Sequence, residues 1–130
     1  MCFAMLMLPV SMMCANPVAH DGDTFRCSGV LVHIAGIDAP ELAGSPLCQP
    51  AHRVATAWCD HRGAARAKQA LQRLLATGPV LVEQLGRAQG GPGIVARVVV
   101  NGRDASRYLL RHGFVRMIRA PLRTVPLVAA

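Results

Sequence analysis

Two short stretches of this 130-residue chain carry residues able to do chemistry. The first is Asp21-Gly22-Asp23-Thr24-Phe25. Ten residues later comes the second, Gly36-Ile37-Asp38-Ala39-Pro40-Glu41. Between them lie two β-prone runs, Thr24–Cys27 and Val30–Ile34, separated by the hairpin dipeptide Ser28-Gly29. A hairpin there brings Asp23 and Asp38 to one end of a sheet, where hard carboxylate oxygens suit Ca²⁺. Glu41, three residues past Asp38 and beyond a proline turn, can hold a water beside the metal and act as general base on a phosphodiester. Each fragment alone is an ordinary turn sequence. The two together, at this spacing, point to a metal site.

The charge pattern supports an anionic partner. Lys and Arg number 14 against 7 Asp and Glu, giving a net charge of +7, and every basic residue except Lys68 is arginine. The planar guanidinium fork matches phosphate, so an arginine-rich excess favours a polyanion. Charge alone does not separate nucleic acid from an anionic membrane or cell-wall polymer. Against this background Asp21, Asp23, Asp38 and Glu41 form an acidic island, which a bound cation would explain. Arg107, Arg111 and Arg116 cluster near a C-terminal helix and, with Arg97, are candidates for tracking phosphates. Trp58 and Phe114 read more readily as packing residues than as base-stacking surfaces, and Tyr108 reads as packed.

The elements that must position these residues can be read from periodicity. A first short strand is expected within Asn16–His20, followed by the hairpin, a proline loop, and an irregular insertion over 42–61. From Arg62 to Thr77, Ala64, Ala67, Leu71, Leu74 and Leu75 recur every three or four residues, which predicts an amphipathic helix capped by Asp60 and stopped by Gly78. Strands are predicted at Val80–Gln84 and Val95–Val100, joined by a glycine-rich loop. A second helix follows from Asp104 to His112, and then a tail with no third helix. Five short strands, with one helix between the third and fourth and another after the fifth, suit a small closed β-barrel of the OB type (α+β). One domain is expected at this length.

The ends and cysteines speak to location. Residues 1–13 are uncharged and almost wholly apolar, too short to span a bilayer, and read as a signal peptide despite lacking an early basic residue. The expected divisions are thus a leader over 1–13, a domain over 14–120 and an irregular tail over 121–130. Removal of the leader leaves Cys14, Cys27, Cys48 and Cys59, an even number that suggests two bridges in a periplasmic or secreted domain. Sequential pairing, Cys14–Cys27 and Cys48–Cys59, closes two short loops, although four cysteines allow three pairings. The cluster Cys48, His52, Cys59 and His61 is a weaker zinc alternative, because its spacing lacks paired short gaps.

These features together resemble the staphylococcal nuclease (thermonuclease) family over about residues 18–117. The resemblance rests on DGDTF, GIDAPE, LQRLLATG at the helix end, PVLVEQLG paired with IVARVVVNG, and RDASRYLLRHG. It implies an OB barrel with packed helices and Ca²⁺-dependent cleavage of DNA and RNA. It also implies Asp23 and Asp38 as metal carboxylates, Ala39 as a carbonyl ligand, Asp21 as a supporting acid and Glu41 as base. The chain departs from the family where two phosphate-gripping arginines belong. His33 stands five residues before Asp38, and the loop before the last strand reads Gln89-Gly90-Gly91-Pro92-Gly93, with neither Tyr nor Arg. Arg119 and Pro121 occupy the positions of nucleotide-packing aromatics.

Two cations facing a pentacovalent phosphorane supply a large share of such catalysis. Weak catalysis is therefore expected unless Arg87 or Arg97 substitutes, or His33 does so when protonated in acid. The leading expectation is a Ca²⁺-dependent nuclease acting as a monomer on single-stranded nucleic acid. The others are a non-catalytic nucleic-acid-binding module on the same fold, and a disulfide-braced structural domain.

Overall fold

The computed structural model describes residues 10–51 and 56–118, together with the backbone of 124–126. In chain order it contains β1 (Ser11–Cys14), β2 (Val18–Ala19), β3 (Thr24–Cys27), β4 (Val30–Ile34), β5 (Ile37–Asp38), a 3-10 turn (Pro46–Cys48), and α1 (His61–Leu75). These are followed by β6 (Val80–Ala88), β7 (Ile94–Val100), β8 (Arg103–Asp104), α2 (Ala105–Arg111), β9 (Arg116–Met117) and β10 (Thr124–Pro126). The architecture is α+β, a curled mixed sheet with two helices.

The sheet runs β1-β6-β7-β4-β3-β2, antiparallel except where β4 lies parallel to β7. Its two ends are made by neighbouring pieces of chain. β1 pairs with β6 and β2 with β3, yet only three residues separate them, among them Asn16 at a φ of 54°. That left-handed residue, tolerated best by Asn and Gly, turns the chain from one edge of the sheet to the other. Ser28 (φ 49°) with Gly29 (φ 83°), and Asn101 (φ 50°) with Gly102 (φ 77°), supply the two consecutive positive-φ residues that a tight hairpin turn needs.

Burial follows the expected periods. On α1, Ala64, Ala67, Leu71, Leu74 and Leu75 are buried, and Asp60 accepts a hydrogen bond from the Gly63 N–H at 3.0 Å as N-cap. Phe25, Val32, Leu71, Val80, Val82, Val98, Val100 and Leu109 are among the side chains closed off from solvent, where each contributes about 1.5–3 kcal/mol. Two disulfides, Cys14–Cys27 and Cys48–Cys59, have Cα separations of 5.5 and 5.7 Å. Cys48 and Cys59 are thereby bonded to each other, which removes the zinc alternative as a four-ligand set; its His52 lies outside the described residues. No helix among the described residues is long and apolar enough to cross a membrane.

Several elements differ from the sequence expectation. Ser11–Cys14, read as the end of a leader and the start of the domain, is a strand in register with Val80–Glu83. Within the tail expected to be irregular, the backbone of Thr124–Pro126 pairs with Gly86–Ala88. β5 and β9 form a second, two-stranded sheet. Each piece is two to four residues long, too short to leave a periodic signature.

Candidate functional site: an acid loop facing a parked arginine

Asp21 and Asp23 are brought together, and the second acidic stretch is bonded to them through the Ala39 backbone, for a local reason. Asp21 accepts a hydrogen bond from the Asp23 N–H at 3.0 Å, closing a turn that sets both carboxylates together before β3 begins. The Asp23 carboxylate then accepts from the Thr24 hydroxyl at 2.8 Å and, on its other oxygen, from the Ala39 N–H at 2.8 Å. That last bond fastens the second acidic stretch onto the first. Gly22 is what permits the approach. A Cβ at this position would lie 2.5 Å from the Ala67 Cβ on α1 and 2.9 Å from the Ala39 Cβ. The glycine is required for space and not for a positive φ.

Burial raises the Asp23 carboxyl well above the usual carboxylate range, and the adjacent Asp21 adds to it by hydrogen bonding and by charge; the donors Ala39 and Thr24 oppose the shift. Among the described residues no basic side chain pairs with Asp21, Asp23 or Glu41. Glu41 accepts a hydrogen bond from the Ser45 hydroxyl at 3.0 Å, and its N–H donates to the Trp58 carbonyl at 2.7 Å. The acid loop is thus tied to the stretch braced by the Cys48–Cys59 bridge.

Asp38 differs from its neighbours because it has a cation of its own. It lies directly across from Arg116 in the β5–β9 pair. The guanidinium Nε donates to one Asp38 oxygen at 2.8 Å; Nη2 lies 2.8 Å from the same oxygen and donates to the Thr56 carbonyl at 2.9 Å. The same group lies over the Trp58 ring, 5.0 Å from its centroid. Arg116, expected on a nucleic-acid surface beside α2, is therefore part of the acid site. Seventy-eight positions separate the partners, and no local pattern announces such a pair.

The other basic candidates divide. His33 is held between two partners: Nδ1 lies 3.3 Å from the Thr24 hydroxyl and Nε2 donates to the Pro92 carbonyl at 3.0 Å. Arg97 is drawn to Asp104 at 3.2 Å and Glu83 at 3.7 Å. Arg87 is exposed on β6, in register with Ile94. Arg107 and Arg111 line an open groove of about 630 Å³ with Arg97, Arg103, Tyr108 and His112, none of which belongs to the acid loop. Tyr108 is framed by Arg103 (6.0 Å to its centroid) and by the His112 ring at 4.4 Å. Arg103 opens the RDASRYLLRHG stretch but is not among the binding residues expected from sequence. Its spacing to Arg107 and Arg111, four residues each, is the signal that could have found it.

The donor set suits a hard divalent cation in kind and in charge. Asp21 and Asp23 are mutually repelling carboxylates without a basic partner among the described residues, and the backbone of Ala39 lies against them. Among the described residues no three Asp, Glu, His or Cys side chains close a shell. Completing one with Asp38 requires that Arg116 give way. No protein-family model matches the chain, and no curated protein matches it either.

Proposed function

We propose that this chain is a nuclease-type domain of the staphylococcal nuclease kind, exported, binding a divalent cation such as Ca²⁺ and hydrolysing nucleic-acid phosphodiesters slowly. The observation that carries the reading is the Asp21–Asp23 carboxylate pair clasped to the Ala39 backbone, with Glu41 two residues beyond. The strand order supports an OB-type barrel. β2, β3, β4, β7 and β6 follow one another with a parallel β4–β7 contact, and β1 returns to β6. The disulfides suit an oxidising compartment.

In this reading Asp21, Asp23 and Asp38, with the Ala39 carbonyl, hold the cation, which when bound supplies positive charge to the phosphodiester oxygens. Glu41, fixed by Ser45 and by its own N–H to Trp58, orients and deprotonates the attacking water. His33, whose Nε2–H is committed to the Pro92 carbonyl, gives the phosphate little. Nor can an arginine simply be restored at position 93. Gly93 has a φ of 102°, and a Cβ there would press on the Leu31 carbonyl. The test is cleavage of a single-stranded oligonucleotide with Ca²⁺ and with chelator, by wild type and Glu41→Gln. Activity that Glu41→Gln leaves unchanged refutes the assignment.

A second reading, a nucleic-acid-binding module without catalysis, is favoured by the arginine groove. Among the described residues Arg103, Arg107 and Arg111 pair with no carboxylate. Arg107 and Arg111 lie four residues apart on α2, about 6 Å along its axis, and Arg103 precedes them on β8. Replacing all three by Gln should flatten the log–log salt dependence of single-strand binding by about 2, at about 0.7 for each phosphate no longer neutralised. Strong salt-dependent binding with no cleavage by any variant would favour this reading.

A further inference from the structure

We infer that Arg116 is the guanidinium that meets the phosphodiester at the acid site, parked on Asp38 until a divalent cation takes that carboxylate. This rests on the nuclease-type reading above. Arg116 is the one arginine among the described residues that touches the acid loop. Its position is built from three directions: the Asp38 carboxylate across the β5–β9 pair, the Thr56 carbonyl, and the Trp58 face. Two of these supports survive when Asp38 turns away, so the guanidinium stays at the site when its ion pair opens.

The chemistry makes the exchange reciprocal. Asp38 cannot give its full charge to a divalent cation while the Arg116 guanidinium rests on one of its oxygens. A divalent cation displaces a half-exposed ion pair readily, because the net worth of such a pair in water is small. The freed fork presents two N–H donors in one plane, the geometry that suits two phosphate oxygens. Arg116 would thereby supply the cation that positions 33 and 93 lack, and it does so from β9 and not from β4 or the glycine loop.

The experiment follows Trp58, the chain's only tryptophan. Folded protein is titrated with Ca²⁺ while Trp58 emission and thermal midpoint are recorded, for wild type, Arg116→Gln and Arg116→Lys. Binding of a short phosphorothioate oligonucleotide is then measured at saturating Ca²⁺. In wild type, emission should change in step with the rise in midpoint. Arg116→Gln should bind Ca²⁺ about two- to five-fold more tightly, the scale of an exposed ion pair, with Trp58 silent. Its oligonucleotide affinity should fall about ten-fold or more, as expected for a lost charge-assisted bond. Arg116→Lys should recover part of that affinity.

Equal Ca²⁺ affinity in wild type and Arg116→Gln, with silent Trp58 in both, overturns the role of Arg116 while leaving the cation site standing. No Ca²⁺ response in any variant overturns the nuclease-type reading and this inference with it.

Discussion

Gly22→Ala is the smallest change that tests how the acid loop is held. The added Cβ would sit 2.5 Å from the Ala67 Cβ and 2.9 Å from the Ala39 Cβ, against an ordinary carbon–carbon separation of about 3.5–4.0 Å. Both neighbours are buried alanines whose Cβ atoms move only with the backbone. Either α1 or the loop bearing Asp38 must therefore shift by about 1 Å to restore that separation. Overpacking of this kind costs about 1–3 kcal/mol. For a chain of this size that corresponds to a fall in thermal midpoint of roughly 3–15 °C. Ala67→Gly alone should cost about 1 kcal/mol through helix propensity, but combined with Gly22→Ala it removes the closer of the two clashes. The double variant should then be more stable than the sum of the single costs by about 0.5 kcal/mol or more, the scale on which touching residues couple. Thermal or urea melts of the four proteins complete the cycle. Additive costs, or a Gly22→Ala protein as stable as wild type, would refute the packing argument.

Two further outcomes follow from the structure. Asp104 caps α2, accepting from the Arg107 N–H at 3.1 Å and the Ser106 hydroxyl at 2.7 Å. Burial alone would raise its carboxyl, but Ser106, the Arg107 N–H and Arg97 together outweigh that and lower it. A lowered folded value means stabilisation that is present above the ordinary aspartate range and lost as pH falls through the folded value. Asp104→Ala should accordingly cost about 1 kcal/mol at neutral pH, and the gap to wild type should shrink near pH 3, below the usual aspartate value of about 3.9; an unchanged gap in paired urea melts would count against it. Replacing Cys48 and Cys59 together by Ser should cost about 3 kcal/mol on the chain-entropy estimate for a loop this short. A melting curve identical to wild type in non-reducing buffer would show that the bridge constrains little.

The legible parts of the fold were those with a repeating pattern or special turn chemistry. The α1 stripe from Ala64 to Leu75, the Ser28-Gly29 hairpin and the Asn101-Gly102 turn are decided by neighbours in sequence, and so they could be read there. Two motifs a hairpin apart suggested that the acidic stretches meet; the bond that joins them, from the Ala39 N–H to Asp23, was not among the expectations from sequence. What could not be read is decided by distant partners. Arg116 reaches Asp38 because β9 happens to lie across from β5. Arg97 is drawn to Glu83, its cross-strand neighbour, and to Asp104 at the far end of its own hairpin. His33 is held by a carbonyl from the glycine loop, fifty-nine positions away. An apolar run such as Met12–Met13 looks the same in a leader and in a strand until the edge it pairs with is known.

That edge has a consequence for assembly. β1 covers Val80–Glu83 and β10 covers Gly86–Ala88, so between them they cap most of one side of β6. A leader cut between Met13 and Cys14 would remove three of the four β1 residues and leave only the Cys14–Val80 pairing, anchored by the bridge to Cys27. Leu81, Val82 and Glu83 would then present unpaired main-chain donors and acceptors along an open strand edge, a template for another extended segment. Processing at that bond would thus turn a capped sheet into one able to accept a strand, from a second copy of the chain or from an extended peptide.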